Sequence, residues 1–274
     1  MTATTNISFI GAGNMANAII GGLIQNGHQA GNITATDAYQ PQLDKVAAAF
    51  KINTTDNNND ALANADIVVL AVKPQQMQAV CEGIKATVQG QQPLIISIAA
   101  GITTGMFKQW LGENIALVRC MPNTPALVKT AASGLFATEL VSEEQRASVK
   151  ALLCAIGIAE WVDHETQLDA VTALSGSGPA YFFLMMEAMI DAGEKLGLSR
   201  KTAEQLCLQT ALGSAKMALD SEDDVAELRR KVTSPNGTTE AAIHCFEEHK
   251  FREIVEHALN AADTRSKTLA KEMG

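Results

Sequence analysis

Through the first half of the chain, short apolar runs alternate with stretches that are apolar on one face only. Ile7-Ser8-Phe9-Ile10 reads as a buried strand, and Met15, Ile19, Leu23 and Ile24 then recur at helical spacing up to Asn26-Gly27. A second strand is expected at Ile33 to Thr36, followed by a helix marked by Leu43, Val46, Ala47 and Phe50. The run Ile67-Val68-Val69-Leu70-Ala71-Val72 is apolar without a break, as a strand covered on both faces requires. Met77, Val80, Cys81, Ile84 and Val88 make the next helical stripe. Strands follow at Leu94 to Ile98 and Ile115 to Val118, with a helix around Met106 to Leu111 between them. Two more strands are expected at Gly134 to Thr138 and Ile158 to Val162, flanking a helix that opens on a Ser142 capping box and runs to about Ile156. Strand and helix in such repeated alternation imply right-handed parallel βαβ units and an α/β, doubly wound, mostly parallel sheet.

Beyond Asp163 only helical periodicity remains, over 168–175, 179–197, 200–219, 222–232, 239–249 and 251–271. The punctuation agrees: Pro179 stands at a helix start, Ser199 is an N-cap and Gly197 a C-terminal stop. With no flexible linker in evidence, two abutting domains are expected, an α/β domain over 1–165 and an all-α domain over 166–274. The segment Tyr181-Phe182-Phe183-Leu184-Met185-Met186 is apolar on several faces at once. Helices of that kind bury their surface by packing on a second copy, so a homodimer built by the second domain is expected.

Composition narrows the classes. Apolar residues make up 47% of the 274 positions and charged residues 19%, a globular balance on a chain long enough for two cores. The net charge of −9 argues against nucleic acid or an anionic membrane surface as partner. Cys81, Cys120, Cys154, Cys207 and Cys245 are odd in number and widely spaced, which speaks against a disulfide framework or a metal site. Met1 to Asn6 is polar and lacks the basic residues of a secretory signal. No apolar run approaches the ~20 residues a membrane-spanning helix needs. A cytoplasmic protein is the expectation.

The first candidate chemistry is Gly11-Ala12-Gly13-Asn14-Met15-Ala16, a G-x-G-x-x-A between a strand and a helix. Gly11 makes the tight turn, Gly13 lets a pyrophosphate approach the backbone, and Ala16 lets helix and strand pack closely. Free N–H groups and the helix dipole then favour the pyrophosphate. Asp37, at the end of the second strand, is placed to accept hydrogen bonds from an adenosine ribose, which favours NADH; a phosphate bonded by Thr36 is the opposing reading, and the cofactor stays open between NADH and NADPH. Ala71-Val72-Lys73-Pro74 ends the most apolar strand, where ligands of open α/β sheets sit. Ser97-Ile98-Ala99-Ala100-Gly101 and Arg119-Cys120-Met121-Pro122-Asn123-Thr124-Pro125 end two further strands.

Two polar, glycine-bearing segments interrupt the helical half. One is Ser175-Gly176-Ser177-Gly178-Pro179; the other runs from Val232 through Thr233-Ser234-Pro235-Asn236-Gly237-Thr238-Thr239 to Glu240. In the second, a turn leads into a helix start, so a small carboxylate has a place on the Gly237 and Thr238 N–H groups beside the Thr239 hydroxyl. Simple helix capping by Thr238 explains the spacing equally well.

At these segments the chain resembles the pyrroline-5-carboxylate reductase family. The resemblance covers GAGNMA at 11–16, AVKP at 71–74, IAAG at 98–101, RCMPNTP at 119–125, SGSGPAY at 175–181, GSAKM at 213–217 and SPNGTT at 234–239. It implies a Rossmann-type dinucleotide domain followed by an all-helical dimerisation and substrate domain, in dimers that often assemble as decamers, pentamers of dimers. It implies reduction of the C=N bond of 1-pyrroline-5-carboxylate to L-proline with NADH or NADPH. Cofactor contacts then fall on Gly11 to Ala16, Asn58, Ala71, Val72, Lys73, Pro74 and Ala100. Substrate contacts fall on Glu222, Val232, Gly237, Thr238 and Thr239, with Thr239 bonding the ring nitrogen and carrying the catalytic role. Two departures stand out: Asn236 replaces a customary glycine, and Asp37 replaces the Ser or Thr of many NADPH-preferring members.

An iminium is already electrophilic, so no strong acid is needed, and His28, His164, His244, His249 and His257 form no evident pair with an Asp. Two rival readings are a β-hydroxyacid dehydrogenase and a dinucleotide-sensing regulator. For the first, Lys216 and Lys195 offer only loose matches to the lysine such enzymes use.

Overall fold

The structure, a computed structural model, describes residue 2 and residues 4–273. Eight strands form one sheet: β1 (Ile7–Ile10), β2 (Ile33–Thr36), β3 (Asn53–Thr55), β4 (Ile67–Leu70), β5 (Leu94–Ser97), β6 (Leu117–Met121), β7 (Ala131–Ala137) and β8 (Gly157–Trp161). Their order is β3-β2-β1-β4-β5-β6-β7-β8. Every neighbouring pair is parallel except β6 and β7.

The unbroken apolar runs sort themselves by alternation. In β4, Ile67 and Val69 join one core while Val68 and Leu70 join the other; in β5, Leu94 and Ile96 part from Ile95 in the same way. Successive side chains of a strand point to opposite faces, so only an apolar run satisfies helices on both. One face is covered by α1 (Asn14–Gln25), α2 (Gln40–Phe50) and α6 (Glu143–Leu153), through Ile19, Leu23, Leu43, Val46 and Leu152. The other is covered by α3 (Asn58–Leu62), α4 (Pro74–Gln91) and α5 (Thr104–Leu111), through Leu62, Met77, Ile84, Phe107 and Trp110. Connections leave β1 towards one face and β4 towards the other. That reversal opens a crevice beyond the carboxyl ends of these two strands.

Two elements depart from the periodicity. β6 and β7 are antiparallel because only a short 3₁₀ turn, Thr124–Val128, joins them, too little chain for a parallel crossover. β3 carries no apolar residue, and α3 carries only Ala61 and Leu62 in a single short turn, so neither shows a strand or helix period.

The remaining helices are α7 (Gln167–Val171), α8 (Gly178–Lys195), α9 (Arg200–Asp220), α10 (Val225–Lys231), α11 (Thr238–Glu248) and α12 (Phe251–Met273), with a π-helical turn over Thr172–Gly176. Ser199 caps α9 by accepting from Thr202 N–H, and Gly197 takes φ +100° after α8. By compactness the chain divides into Gly178–Asn260 and the rest, residues up to Ser177 together with those from Ala261 onward. The latter part of α12 thus belongs to the sheet-bearing unit, where Ser266 Oγ donates to Asp169 Oδ1 at 2.6 Å. Within 178–260, α8 and α9 form an antiparallel hairpin around Ile190, Ala203 and Cys207. Few of its large apolar side chains are covered by its own chain: Phe182, Phe183 and Leu184 remain 68%, 65% and 66% exposed.

Candidate active site

The crevice at the sheet reversal is a cleft of about 1000 Å³, lined among others by Gly11, Gly13, Asp37, Asn58, Ala71, Val72 and Lys73. Its floor is the turn between β1 and α1. Gly11 adopts φ +99°, and a Cβ there would stand 2.8 Å from the Ala71 carbonyl oxygen, so both backbone conformation and space demand glycine. At Gly13 a Cβ would meet nothing within 4 Å. The side it would occupy is open, and Gly13 forms the N-cap of α1 with no side chain capping the helix. The N–H groups of Asn14 and Met15 have no acceptor among the described residues. An uncapped helix start beside an open groove is a site built for an anion. Ala16 is buried against the strand, as close packing of helix and sheet requires.

Asp37 lies just past β2, and its carboxylate is already anchored. Oδ2 accepts from Ala12 N–H and Oδ1 from Tyr39 N–H, both at 3.0 Å. Thr36 Oγ1 donates to Asn58 Oδ1 at 2.6 Å, which ties β2 to the start of α3. Asp56, Asn57 and Asn59 line the same wall. Sequence reasoning passed over them; the signal available was the polar run Asp56-Asn57-Asn58-Asn59-Asp60, where Asn57 caps α3 by accepting from the Asn59 and Asp60 N–H groups. On the opposite wall Lys73 is the N-cap of α4 and Pro74 its first residue, where the missing N–H matters least. The Lys73 ammonium makes no ion pair among the described residues. Gln75, Gln76, Ala79 and Val80 continue this wall along α4. Ala100 is exposed in the loop after β5.

That loop is held at its far end by a three-way clamp. Glu165 Oε1 accepts from Thr104 N–H at 2.6 Å and from the Arg119 guanidinium at 2.7 Å, while Oε2 accepts from the Thr104 hydroxyl at 2.7 Å. Burial pushes the Glu165 carboxyl up, but the Thr104 hydroxyl and N–H and the Arg119 charge outweigh it and hold the group below the ordinary carboxylate range. In the next loop, Asn123 accepts from Ala132 N–H and donates to the Ser175 carbonyl, both at 3.0 Å. It thereby fixes the π-helical turn to the sheet.

In the helical unit, Asn236 takes φ +58°, which its short amide side chain tolerates, and the turn closes with Gly237 N–H donating to the Ser234 carbonyl at 3.0 Å. A Cβ at Gly237 would stand 2.9 Å from that carbonyl oxygen. Because Gly237 N–H is engaged inside the turn, the amides left without an acceptor among the described residues are those of Thr238, Thr239 and Glu240. The Glu240 carboxylate reaches back to Asn236 N–H at 2.7 Å. Thr238 and Thr239 are exposed, as are Glu222 before α10 and Val232 at its C-terminal end. Among the described residues, no cluster of His, Cys, Asp and Glu forms a metal site, and all five cysteines are free thiols. Burial raises the Cys120 thiol well above its ordinary range and pushes Cys81 up to about 12, so neither ionises near neutral pH.

Two family models match the chain, one described as pyrroline-5-carboxylate reductase dimerisation over residues 165–269 and one as NADP oxidoreductase, coenzyme F420-dependent, over residues 6–101. The chain is 57% identical to the pyrroline-5-carboxylate reductase of Pseudomonas aeruginosa over 272 residues, 99% of each protein. The chain belongs to the pyrroline-5-carboxylate reductase family. A solved family structure from Coxiella burnetii superposes with a TM-score of 0.95 at 47% identity, covering 97% of this chain and 98% of the other. A second, from Plasmodium falciparum with NADP bound, gives 0.86 at 30% identity over 98% and 100%. As a member of this family the chain has a Rossmann-type sheet domain followed by a helical dimerisation domain.

Proposed function

We propose that the chain reduces the C=N bond of 1-pyrroline-5-carboxylate to L-proline, the last step of proline biosynthesis, with NADH or NADPH as donor. The observation that carries this is full-length likeness to reductases of that name, 57% identical over 99% of the chain. The geometry supports it: a cleft of dinucleotide size has an uncapped helix start at its floor, and a second uncapped helix start suits a small carboxylate.

A reduced nicotinamide bound in the cleft supplies the hydride that the ring carbon of the C=N bond accepts. The chain does the rest. The α1 amides hold the pyrophosphate, and Gly11, Ala12, Gly13, Asn14, Met15 and Ala16 shape that cradle. Asp37 and Asn58 bound the ribose end, while Ala71, Val72, Lys73, Pro74 and Ala100 border the path towards the nicotinamide. The substrate carboxylate rests on the Thr238 and Thr239 N–H groups in the turn that Gly237 makes possible, with Val232 and Glu222 beside it. Thr239 Oγ1 orients the ring nitrogen, which gains a proton as the carbon gains hydride. Catalysis is chiefly alignment.

The functional division assigned is 1–165 for the dinucleotide and 166–274 for substrate and dimerisation. In the assembly assigned, the exposed Phe182, Phe183 and Leu184 are covered by a second copy, and dimers associate as a pentamer of dimers. The assigned location is the cytoplasm, with support from the free cysteines; no described helix is long and apolar enough to cross a membrane. The test is oxidation of each reduced cofactor by the purified protein on adding pyrroline-5-carboxylate, with the product identified by mass and chirality. L-proline formed mole for mole with oxidised cofactor is expected; no oxidation with either cofactor overturns the reading.

A further inference from the structure

The register of the sheet fixes what surrounds the ribose end of the cleft. Ile10 pairs with Thr36 and Thr36 with Thr55, so the next residues out, Gly11, Asp37 and Asp56, stand side by side at three adjacent strand ends. Asp37 and Asp56 therefore present two carboxylates to the wall where an adenosine ribose lies. Lys73 is the one Lys or Arg among the cleft-lining residues. It follows β4, on the other side of β1 from β2, about 10 Å away at ordinary strand spacing.

Several neutral donors at this wall are also engaged. The Thr36 hydroxyl donates to Asn58 Oδ1. The α3 amides of Asn59 and Asp60 donate to the Asn57 side chain. Tyr39 N–H donates to Asp37 itself. Between Thr36 and Lys45 the chain carries no cationic side chain, and none between Asn53 and Leu62. By contrast, each Asp37 oxygen uses one acceptor site on a backbone amide and keeps another for a ribose hydroxyl, in an orientation those amides already hold.

From this we infer that the cleft selects NADH over NADPH, with Asp37 as the specificity-determining residue and Asp56 as its electrostatic support. This rests on the dinucleotide reading of the cleft but not on the identity of the substrate. A 2′-phosphate meets two carboxylates and no cationic side chain at these strand ends, whereas the 2′-hydroxyl of NADH meets an acceptor in position. The NADPH-bound state is reachable but weaker.

The experiment has two arms on the full-length protein. Equilibrium binding of NADH and of NADPH, followed by nicotinamide fluorescence without substrate, reads the preference whatever imine is reduced; kcat/KM with pyrroline-5-carboxylate reads it in turnover. The expected preference for NADH is about 10-fold or more, the scale of one uncompensated charge contact in a half-solvated cleft. Asp37→Ser should bring the ratio to near unity or below by tightening NADPH. Asp56→Asn should move it the same way by less. Raising ionic strength should narrow the wild-type gap, since the unfavourable contact is between partly exposed charges. Equal or tighter binding of NADPH by the wild type overturns the inference. So does a preference for NADH that neither variant nor salt alters. If Asp37→Ser fails to fold, Asp56→Asn and the salt series still decide. Tight, NADH-selective binding without pyrroline-5-carboxylate reduction would leave this inference standing and remove the proposed activity.

Discussion

Gly11 and Gly13 sit two residues apart and answer to different demands. Gly11 combines φ +99° with a carbonyl oxygen where its Cβ would go, so Gly11→Ala strains the fold itself. A loss of about 1–3 kcal/mol is expected, measured by denaturant unfolding. Gly13 has ordinary φ of −70° and open space, so Gly13→Ala should keep its melting temperature while KM for the nicotinamide cofactor rises several-fold. Unfolding data showing both variants equally destabilised would contradict this division of roles. Thr239 lies exposed in the first turn of an uncapped helix, and as the residue that orients the ring nitrogen it should act on kcat. Thr239→Ala is expected to lower turnover roughly 10-fold or more, the scale of a lost charge-assisted hydrogen bond. Unchanged steady-state kinetics would remove Thr239 from the mechanism. The glycine motif was legible at this scale because its chemistry is local: conformation, space and a helix start follow from neighbours in sequence. The engagement of Gly237 N–H by Ser234 was not, since a turn hydrogen bond depends on the φ that Asn236 adopts.

Among elements, the clamp of Glu165 on Thr104 and Arg119 joins the entry to α7 with the start of α5 and the middle of β6. The native Glu165 carboxyl titrates below its unfolded value, so the clamp stabilises the fold fully above the ordinary carboxylate range. That stability fades as pH falls through the lowered native value. Glu165→Gln should therefore lower stability at neutral pH by roughly 1–3 kcal/mol, the range for a buried hydrogen-bonded charge left without its partner. It should also flatten the acid limb of stability against pH; parallel acid limbs for variant and wild type would show that the clamp is not titrating. The strands β1, β2, β4 and β5 could be read from sequence because a doubly covered strand is apolar or β-branched at most positions. β3 could not, being polar and held by pairing with β2, a long-range contact that periodicity does not register, and α3, at five residues, is too short to show a helical period. The antiparallel turn of β7 against β6 was likewise hidden, because alternation of elements says nothing of direction once the connecting helix is missing.

For the whole molecule, the apolar surface of α8 and α9 is the feature a single chain leaves unresolved. Phe182 and Phe183 face solvent on one chain, and patches of this kind are covered by partners. Phe182→Glu combined with Phe183→Glu should shift the protein to monomers in sedimentation velocity, with loss of activity. An oligomer that survives both substitutions would place the interface elsewhere. The excess of apolar helix could be read from the sequence; the return of α12 to the sheet-bearing unit could not, since one continuous helical period carries no mark of which core each half joins. The central claim is that a dinucleotide rests on the α1 amides while the imine carboxylate rests on those of α11. A crystal structure of the protein soaked with oxidised cofactor and L-proline tests it most directly. The account predicts pyrophosphate oxygens on the Asn14 and Met15 N–H groups and the proline carboxylate on those of Thr238 and Thr239, with the Thr239 hydroxyl on the ring nitrogen. Density for either ligand that left these amides bare would contradict it.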